Sequence, residues 1–246
     1  MTQATEKQSR LRAFHEKFLV EVREVPASTK RKLYTWSAVL IAVGVTGFVT
    51  LLVLVASQGE VPGLDKPFHE WLISTQSGTV TSVMIWLAVI FGPVSLPIIA
   101  LVVVIAWSFF SKHFWRPLLL IIGLLAGLIV VQVVTRLVGR ERPPLDQMLF
   151  GSDMTPSFPS GHVAGAADFM LLIAYLVFSR RERPRIAAIS FTVAVILIFI
   201  AGISRIYLGY HWPSDALASV FLSLTVLGGI IALDTHRTMR VTGEKR

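Results

Sequence analysis

Arg142, the run Pro159-Ser160-Gly161-His162, the pair Ser204-Arg205, and His211 with Asp215 are residue types suited to handling a phosphate group. Ser160 and Gly161 stand just before a helical stretch through Val163, Ala164 and Gly165. The first-turn N–H groups of such a helix, and the positive end of its dipole, are free to receive an anion. Ser160 can cap that helix or donate its hydroxyl to a phosphate oxygen, and Gly161 permits close approach of a ligand. His211 and Asp215 lie four residues apart across the start of another helix, with Pro213 near its first turn. That spacing puts the carboxylate within reach of one imidazole nitrogen, fixing the tautomer and leaving the other as nucleophile or base. Taken alone, the pair reads as readily as an interfacial hydrogen bond. Arg205 and His162 tip it toward chemistry, and the forked guanidinium groups of Arg142 and Arg205 suit phosphate oxygens.

The elements that must position these groups are membrane-length helices. Hydrophobic residues make up 54% of the 246, charged ones only 15%, and the mean hydropathy is +0.67. An ordinary soluble domain carries about 25% charged residues, so the chain reads as a polytopic membrane protein. A bilayer core of about 30 Å asks for roughly 20 apolar residues per helix. Segments 34–57, 80–110, 115–138, 161–179, 186–204 and 214–234 meet that length. The fold class expected is therefore all-α, a six-span transmembrane bundle with its active site at the outer membrane face. Three parts are expected: an amino-terminal tail 1–33, a six-helix domain 34–234 and a carboxy-terminal tail 235–246. The first span is expected to act as the insertion signal, because the preceding charged stretch is not a cleavable signal peptide.

The net charge of +8 does not point to nucleic acid, because its placement follows the membrane. Of the 23 Lys and Arg, all but Lys66, Arg136, Arg140, Arg142 and Arg205 fall in the two tails or in two of the connections. Positive residues concentrate on the cytoplasmic side, which places both termini inside and the connections 58–79, 139–160 and 205–213 outside. The five exceptions lie at outward connections and call for a separate cause. Zero cysteines exclude disulfides and thiolate chemistry.

Two segments leave alternatives open. Residues 58–79 mix Leu64, Phe68, Trp71 and Leu72 with Asp65, Lys66, His69 and Glu70, which fits either an amphipathic helix at the outer interface or a plain loop. The run 80–110 contains Gly92, Pro93 and Pro97; we expect one kinked span rather than a short interfacial helix followed by a span. The mixed charges of the amino-terminal tail have helical spacing and predict a cytoplasmic surface helix.

Arg142-Pro143, then Pro159-Ser160-Gly161-His162, then Ser204-Arg205 with five residues to His211 and Asp215 beyond, resemble the three signature motifs of the phosphatidic acid phosphatase type 2 superfamily. The six-span layout is similar to that family's membrane branch, and the resemblance covers roughly residues 34 to 234. It implies that His211 attacks phosphorus to form a phosphohistidine, that Asp215 orients it, and that His162 protonates the leaving oxygen and then activates water. Arg142, Arg205, Ser160 and the Gly161 amide are implied as holders of the nonbridging oxygens. No metal or other cofactor enters that scheme. One departure stands out: the family's first motif begins with a Lys seven positions before the Arg, and that position here is Thr135. Arg136 would point about 100° round a helix from it, and Arg140 is the other candidate, although both could equally snorkel to headgroups.

The resemblance implies a lipid phosphate in the outer leaflet of the cell membrane as substrate, with the bilayer as the partner that delivers it. Undecaprenyl diphosphate is expected first, with phosphatidylglycerophosphate and phosphatidate as alternatives. A phosphotransferase would use the same phosphohistidine. A transporter or scaffold that keeps only the headgroup site predicts loss of His162 or His211, and both are present.

Overall fold

A computed structural model describes residues 20–178 and 184–242. In chain order its elements are β1 (Arg23–Val25), α1 (Ala27–Gln58), α2 (Asp65–Ser74), α3 (Gly78–Ile90), α4 (Ser95–Phe110) and α5 (Trp115–Val138), then a 3₁₀ turn (Leu145–Gln147), α6 (Gly161–Phe178), α7 (Pro184–Tyr207), α8 (Pro213–Thr238) and β2 (Met239–Val241). Helices α1, α5, α6, α7 and α8 are each long and apolar enough to cross a membrane, and α3 with α4 makes a sixth if the bent pair counts as one span. The chain is thus a multi-pass helical membrane protein, as its composition requires. The expected surface helix of the amino-terminal tail falls largely on residues 1–19, outside the described residues.

The run 80–110 is broken more sharply than a single kink. Its halves meet at 47°, and residues 91–94 between them are not helical. Pro93 has no N–H to continue the ladder. Gly92 has a second reason to be small, since a Cβ there would lie 2.8 Å from the Ala88 carbonyl oxygen and 3.6 Å from His162 Nε2. The break therefore faces the end of the bundle that carries His162.

Of the spans, α6 and α8 are the central ones, with 61% and 50% of their apolar windows buried against 17% to 28% in α1, α5 and α7. The outer helices turn large apolar side chains outward, among them Val43, Phe109, Leu128 and Phe199, the face that lipid covers. Between α1 and α8 the approach is close enough to require small residues: a Cβ on Gly228 would meet the Ser37 carbonyl oxygen at 2.9 Å, and the Ser37 hydroxyl donates to the Gly228 carbonyl at 2.7 Å.

The end away from the site is closed by Asp234, whose carboxylate accepts from Trp115 Nε1 at 2.8 Å and from the Tyr175 hydroxyl at 2.9 Å. There the structure adds an element that the all-α expectation lacked. Strands β1 and β2 pair in parallel, Arg23 with Met239 and Val25 with Val241, so a small two-stranded sheet joins the segments flanking α1 and α8. The region 58–79 does contain a helix, α2, with Asp65, His69 and Leu72 buried and Trp71 exposed.

Candidate active site

The ends of α1, α5 and α7 and the starts of α6 and α8 meet at one end of the bundle. After α7 the chain reverses through Gly209, whose φ of +80° places it in the left-handed region and against the Gln147 carbonyl. A side chain there would collide with that backbone. The turn is tied to the 139–160 connection by the Leu149 N–H donating to the Leu208 carbonyl at 3.2 Å. The starts of α6 and α8 are locked together where the Ser160 N–H donates to the Asp215 carbonyl at 3.3 Å and the Ser219 hydroxyl to the Ser160 carbonyl at 2.9 Å.

His211 follows this turn and is buried. Its Nδ1 lies 3.4 Å from Asp215 Oδ2, long for a hydrogen bond, as such contacts often are in a resting site. The same Asp215 oxygen accepts the Trp212 N–H at 2.9 Å, so the carboxylate that begins α8 also orients the imidazole. With Nδ1 turned to Asp215, Nε2 is the nitrogen left for chemistry, and Arg142 Nη1 stands 3.3 Å from it. Burial pulls the His211 pKa down to about 4, outweighing the upward effect of the Asp215 hydrogen bond. The ring is therefore neutral near pH 7, and its Nε2 presents a lone pair, toward which Arg142 Nη1 points in this structure.

Arg142 is held on three sides. Its Nε donates to the Thr155 carbonyl at 2.7 Å, Nη2 to the Thr155 hydroxyl at 2.9 Å, and Nη1 to the Tyr210 carbonyl at 2.7 Å. Arg205 is buried, with its guanidinium carbon 4.1 Å from the centre of the Tyr210 ring, a cation–π contact. Its Nε has no hydrogen-bond partner. His162, at the start of α6, interacts electrostatically with Arg205, His211 and Arg142, so two imidazoles and two guanidinium groups share one pocket.

The remaining expected residues divide. Ser160 has no exposed surface, and its hydroxyl accepts the Val163 N–H at 3.4 Å, the cap alternative. Gly161 begins α6, exposed, beside His162. Arg136 is exposed on α5 and donates to the Gln132 carbonyl at 3.3 Å, away from the cluster, which matches snorkelling rather than a third cation of the site. Thr135 stays within the last turn of α5, its carbonyl accepting the Gly139 N–H. Arg140 is buried, but its Nη1 contacts Asp215 Oδ1 at 2.5 Å and its Nη2 contacts Asp65 Oδ2 at 2.7 Å. Those donors are engaged with carboxylates, so Arg140 is not placed to grip a phosphate.

Sequence reasoning missed Asp153, Thr155, Tyr210 and Asp65. Asp153 Oδ2 pairs with Arg142 Nη2 at 2.9 Å. Burial raises the carboxyl pKa, but hydrogen bonds from Thr155 and the charge of Arg142 more than offset this, and the net shift is downward. The only sequence signal for the pairing was the Asp153-x-Thr155 spacing, which favours a local turn. Any anion drawn to Arg142 has to compete with Asp153. Asp153→Asn is expected to tighten binding of inorganic phosphate about two- to fivefold, the scale of a part-exposed ion pair, read by calorimetry. Weaker binding instead would show that Asp153 chiefly holds Arg142 in place.

The profile of the PAP2 superfamily matches residues 114–239. Phosphatidylglycerophosphatase B of Bacillus subtilis is 32% identical over 134 residues, which cover 52% of this chain and 62% of that protein. The Escherichia coli K12 protein of the same name is 33% identical over 89 residues, 35% of this chain and 31% of its own length. The matched segment thus spans less than two thirds of either relative. Among solved structures, the transmembrane PAP2 type phosphatidylglycerolphosphate phosphatase of Bacillus subtilis superposes with a TM-score of 0.70 at 22% identity, covering 78% of this chain and 96% of that one. Aquifex aeolicus LpxE gives 0.53 at 21% identity, covering 68% and 93%. At these identities the two structures speak to the fold.

Proposed function

The chain belongs to the PAP2 superfamily, and from that premise we propose that it is a membrane lipid phosphatase working through a phosphohistidine. The observation that carries this reading is the alignment of Asp215, His211 and Arg142, with a carboxylate on Nδ1 and a guanidinium beside Nε2. His211 Nε2 forms a bond to the terminal phosphorus as the bond from that phosphorus to the leaving oxygen breaks, an alcohol oxygen in a lipid monophosphate and the bridging oxygen of the lipid phosphate in a diphosphate, and His162 supplies the proton that oxygen takes up. Water then attacks phosphorus, its proton passes to His162, the P–N bond breaks and inorganic phosphate leaves. Arg142, Arg205 and the Gly161 amide at the start of α6, the helix that Ser160 caps, stabilise the charge that builds on the nonbridging oxygens.

The site lies at the end of apolar helices, where a lipid phosphate can enter while its tail stays in the bilayer. Undecaprenyl diphosphate, cleaved to undecaprenyl phosphate, remains the first expected substrate; the names of the two curated relatives favour phosphatidylglycerophosphate as the second. By the distribution of Lys and Arg, both termini lie in the cytoplasm and the site faces outward across the cell membrane. The mechanism is metal-independent, the positive field coming from guanidinium groups and a helix terminus. In support, the two buried carboxylates beside this pocket, Asp65 and Asp215, both contact Arg140.

Purified protein in detergent, given undecaprenyl diphosphate, phosphatidylglycerophosphate and phosphatidate in parallel with excess chelator, is expected to release phosphate from at least one at an undiminished rate. Activity that returns only with magnesium would contradict the metal-free scheme. The ratio of kcat/KM values assigns the substrate.

A further inference from the structure

Asp65 belongs to none of the motif positions, yet it has no exposed surface. It starts α2, in the connection between α1 and α3, and its carboxylate reaches into the start of α8. Oδ1 accepts the Ser214 N–H at 2.9 Å. Oδ2 accepts the Ser214 hydroxyl at 2.8 Å, the Val61 N–H at 2.7 Å and Arg140 Nη2 at 2.7 Å. Arg140 in turn gives Nη1 to Asp215 Oδ1 and to the Ser214 hydroxyl oxygen, at 2.5 and 2.8 Å, and Nε to the Gly59 carbonyl at 3.1 Å. The order in space is Asp65, Arg140, Asp215, His211.

Two consequences follow from one guanidinium held between two buried carboxylates. The rigid fork fixes Asp215 Oδ1, and so fixes the direction in which Oδ2 faces His211. The charge matters as well. When Nε2 bonds to phosphorus the imidazole becomes cationic, and Asp215 is the group that stabilises that cation. An Arg140 facing Asp215 alone would cancel much of its negative charge; Asp65 supplies the second carboxylate, leaving the trio with a net single negative charge. Removing one member of a buried ionic set leaves the others uncompensated.

We infer that Asp65 is a positioning residue for the reaction, acting through Arg140 and Asp215 on His211. The helix of an interhelical connection thereby becomes part of the machinery that aims the nucleophile. The inference rests on the phosphohistidine reading above.

The experiment compares kcat and KM of wild type, Asp65→Asn, Arg140→Gln, the double variant, His69→Ala and His211→Ala on the best lipid substrate, with thermal melts to confirm folding. Asp65→Asn is expected to lower kcat by about 10- to 100-fold with KM within about threefold, the cost of a misaimed catalytic group. The double variant should be no slower than Arg140→Gln alone, since residues acting as one unit are not additive. His69→Ala cuts the other ties of α2 to the site, the 2.9 Å bond to Gln147 and the ring contact with Trp212 at 5.0 Å, while leaving every member of the chain of charges in place, and should keep most of kcat. Near-wild-type kcat in Asp65→Asn, or an equal loss in His69→Ala, would overturn the inference, the latter by making the docking of α2 the cause. Should Asp65→Asn fail to fold, Asp65→Glu retains the charge but displaces it; it should also lose kcat at constant KM, and an unchanged kcat would overturn the proposal. An active wild type with an inactive His211→Ala leaves the phosphatase reading standing whatever Asp65 does. A wild type that releases phosphate from no lipid sinks both.

Discussion

Replacing His211 by alanine is expected to abolish turnover, with kcat down by at least about 10⁴-fold, the scale seen when a covalent nucleophile is removed. His162 is the other imidazole of the pocket, and among the described residues no carboxylate is hydrogen-bonded behind it as Asp215 is behind His211. The variant should also fail to accumulate acid-labile phosphate on the protein when quenched during turnover, which separates loss of the nucleophile from loss of binding. A residual rate near wild type would place the nucleophile elsewhere. The pH profile carries a second expectation for the same residue. Protonation consumes the Nε2 lone pair, so His211 is competent above its pKa and lost below it. With burial holding that pKa at about 4, His211 contributes no decline in kcat/KM as pH falls from 7 to 5. An acid limb near pH 6.5 therefore belongs to another group.

Arg205→Ala should cost about 10²- to 10³-fold in kcat/KM, the typical loss when a fixed donor to developing charge is removed. The side chain is buried, its Nε is unbonded, and among the described residues no carboxylate forms an ion pair with it. A buried cation whose desolvation is offset by the Tyr210 ring and by no ion-paired carboxylate does little for the fold; the melting temperature should hold or rise. Activity and stability should thus move in opposite directions, the mark of a group kept for its ligand. Arg205→Lys should recover little, since a point charge lacks the planar fork and the stacking on Tyr210. A loss below about threefold would remove Arg205 from the phosphate pocket.

Arg140 and Arg205 show where sequence legibility ends. Both are buried arginines near the same pocket, and the sequence offers both as cations for phosphate, Arg140 with snorkelling as its alternative. Arg205 sits beside His162 and His211 with a free donor, whereas Arg140 is spent on Asp65 and Asp215. Nothing local to Arg140 announces this, because Asp65 lies 75 residues away in a connection whose helical character was itself an open question. The pairing of Asp153 with Arg142 was hidden for a related reason, since a carboxylate in a polar loop reads as solvated until the loop is folded over the site.

The membrane class, the approximate spans and the order of the histidine and arginine motifs are legible in the chain alone. A bilayer fixes how long an apolar helix must be, and a helix start fixes where an aspartate four residues on can reach. Which charges meet emerges only when the helices pack. Packing breaks the second span at Gly92 against His162, pairs strands more than two hundred residues apart, and sets Asp65 and Arg140 behind Asp215. Long-range packing and competition among buried charges govern those choices, and neither leaves a periodic trace in the chain.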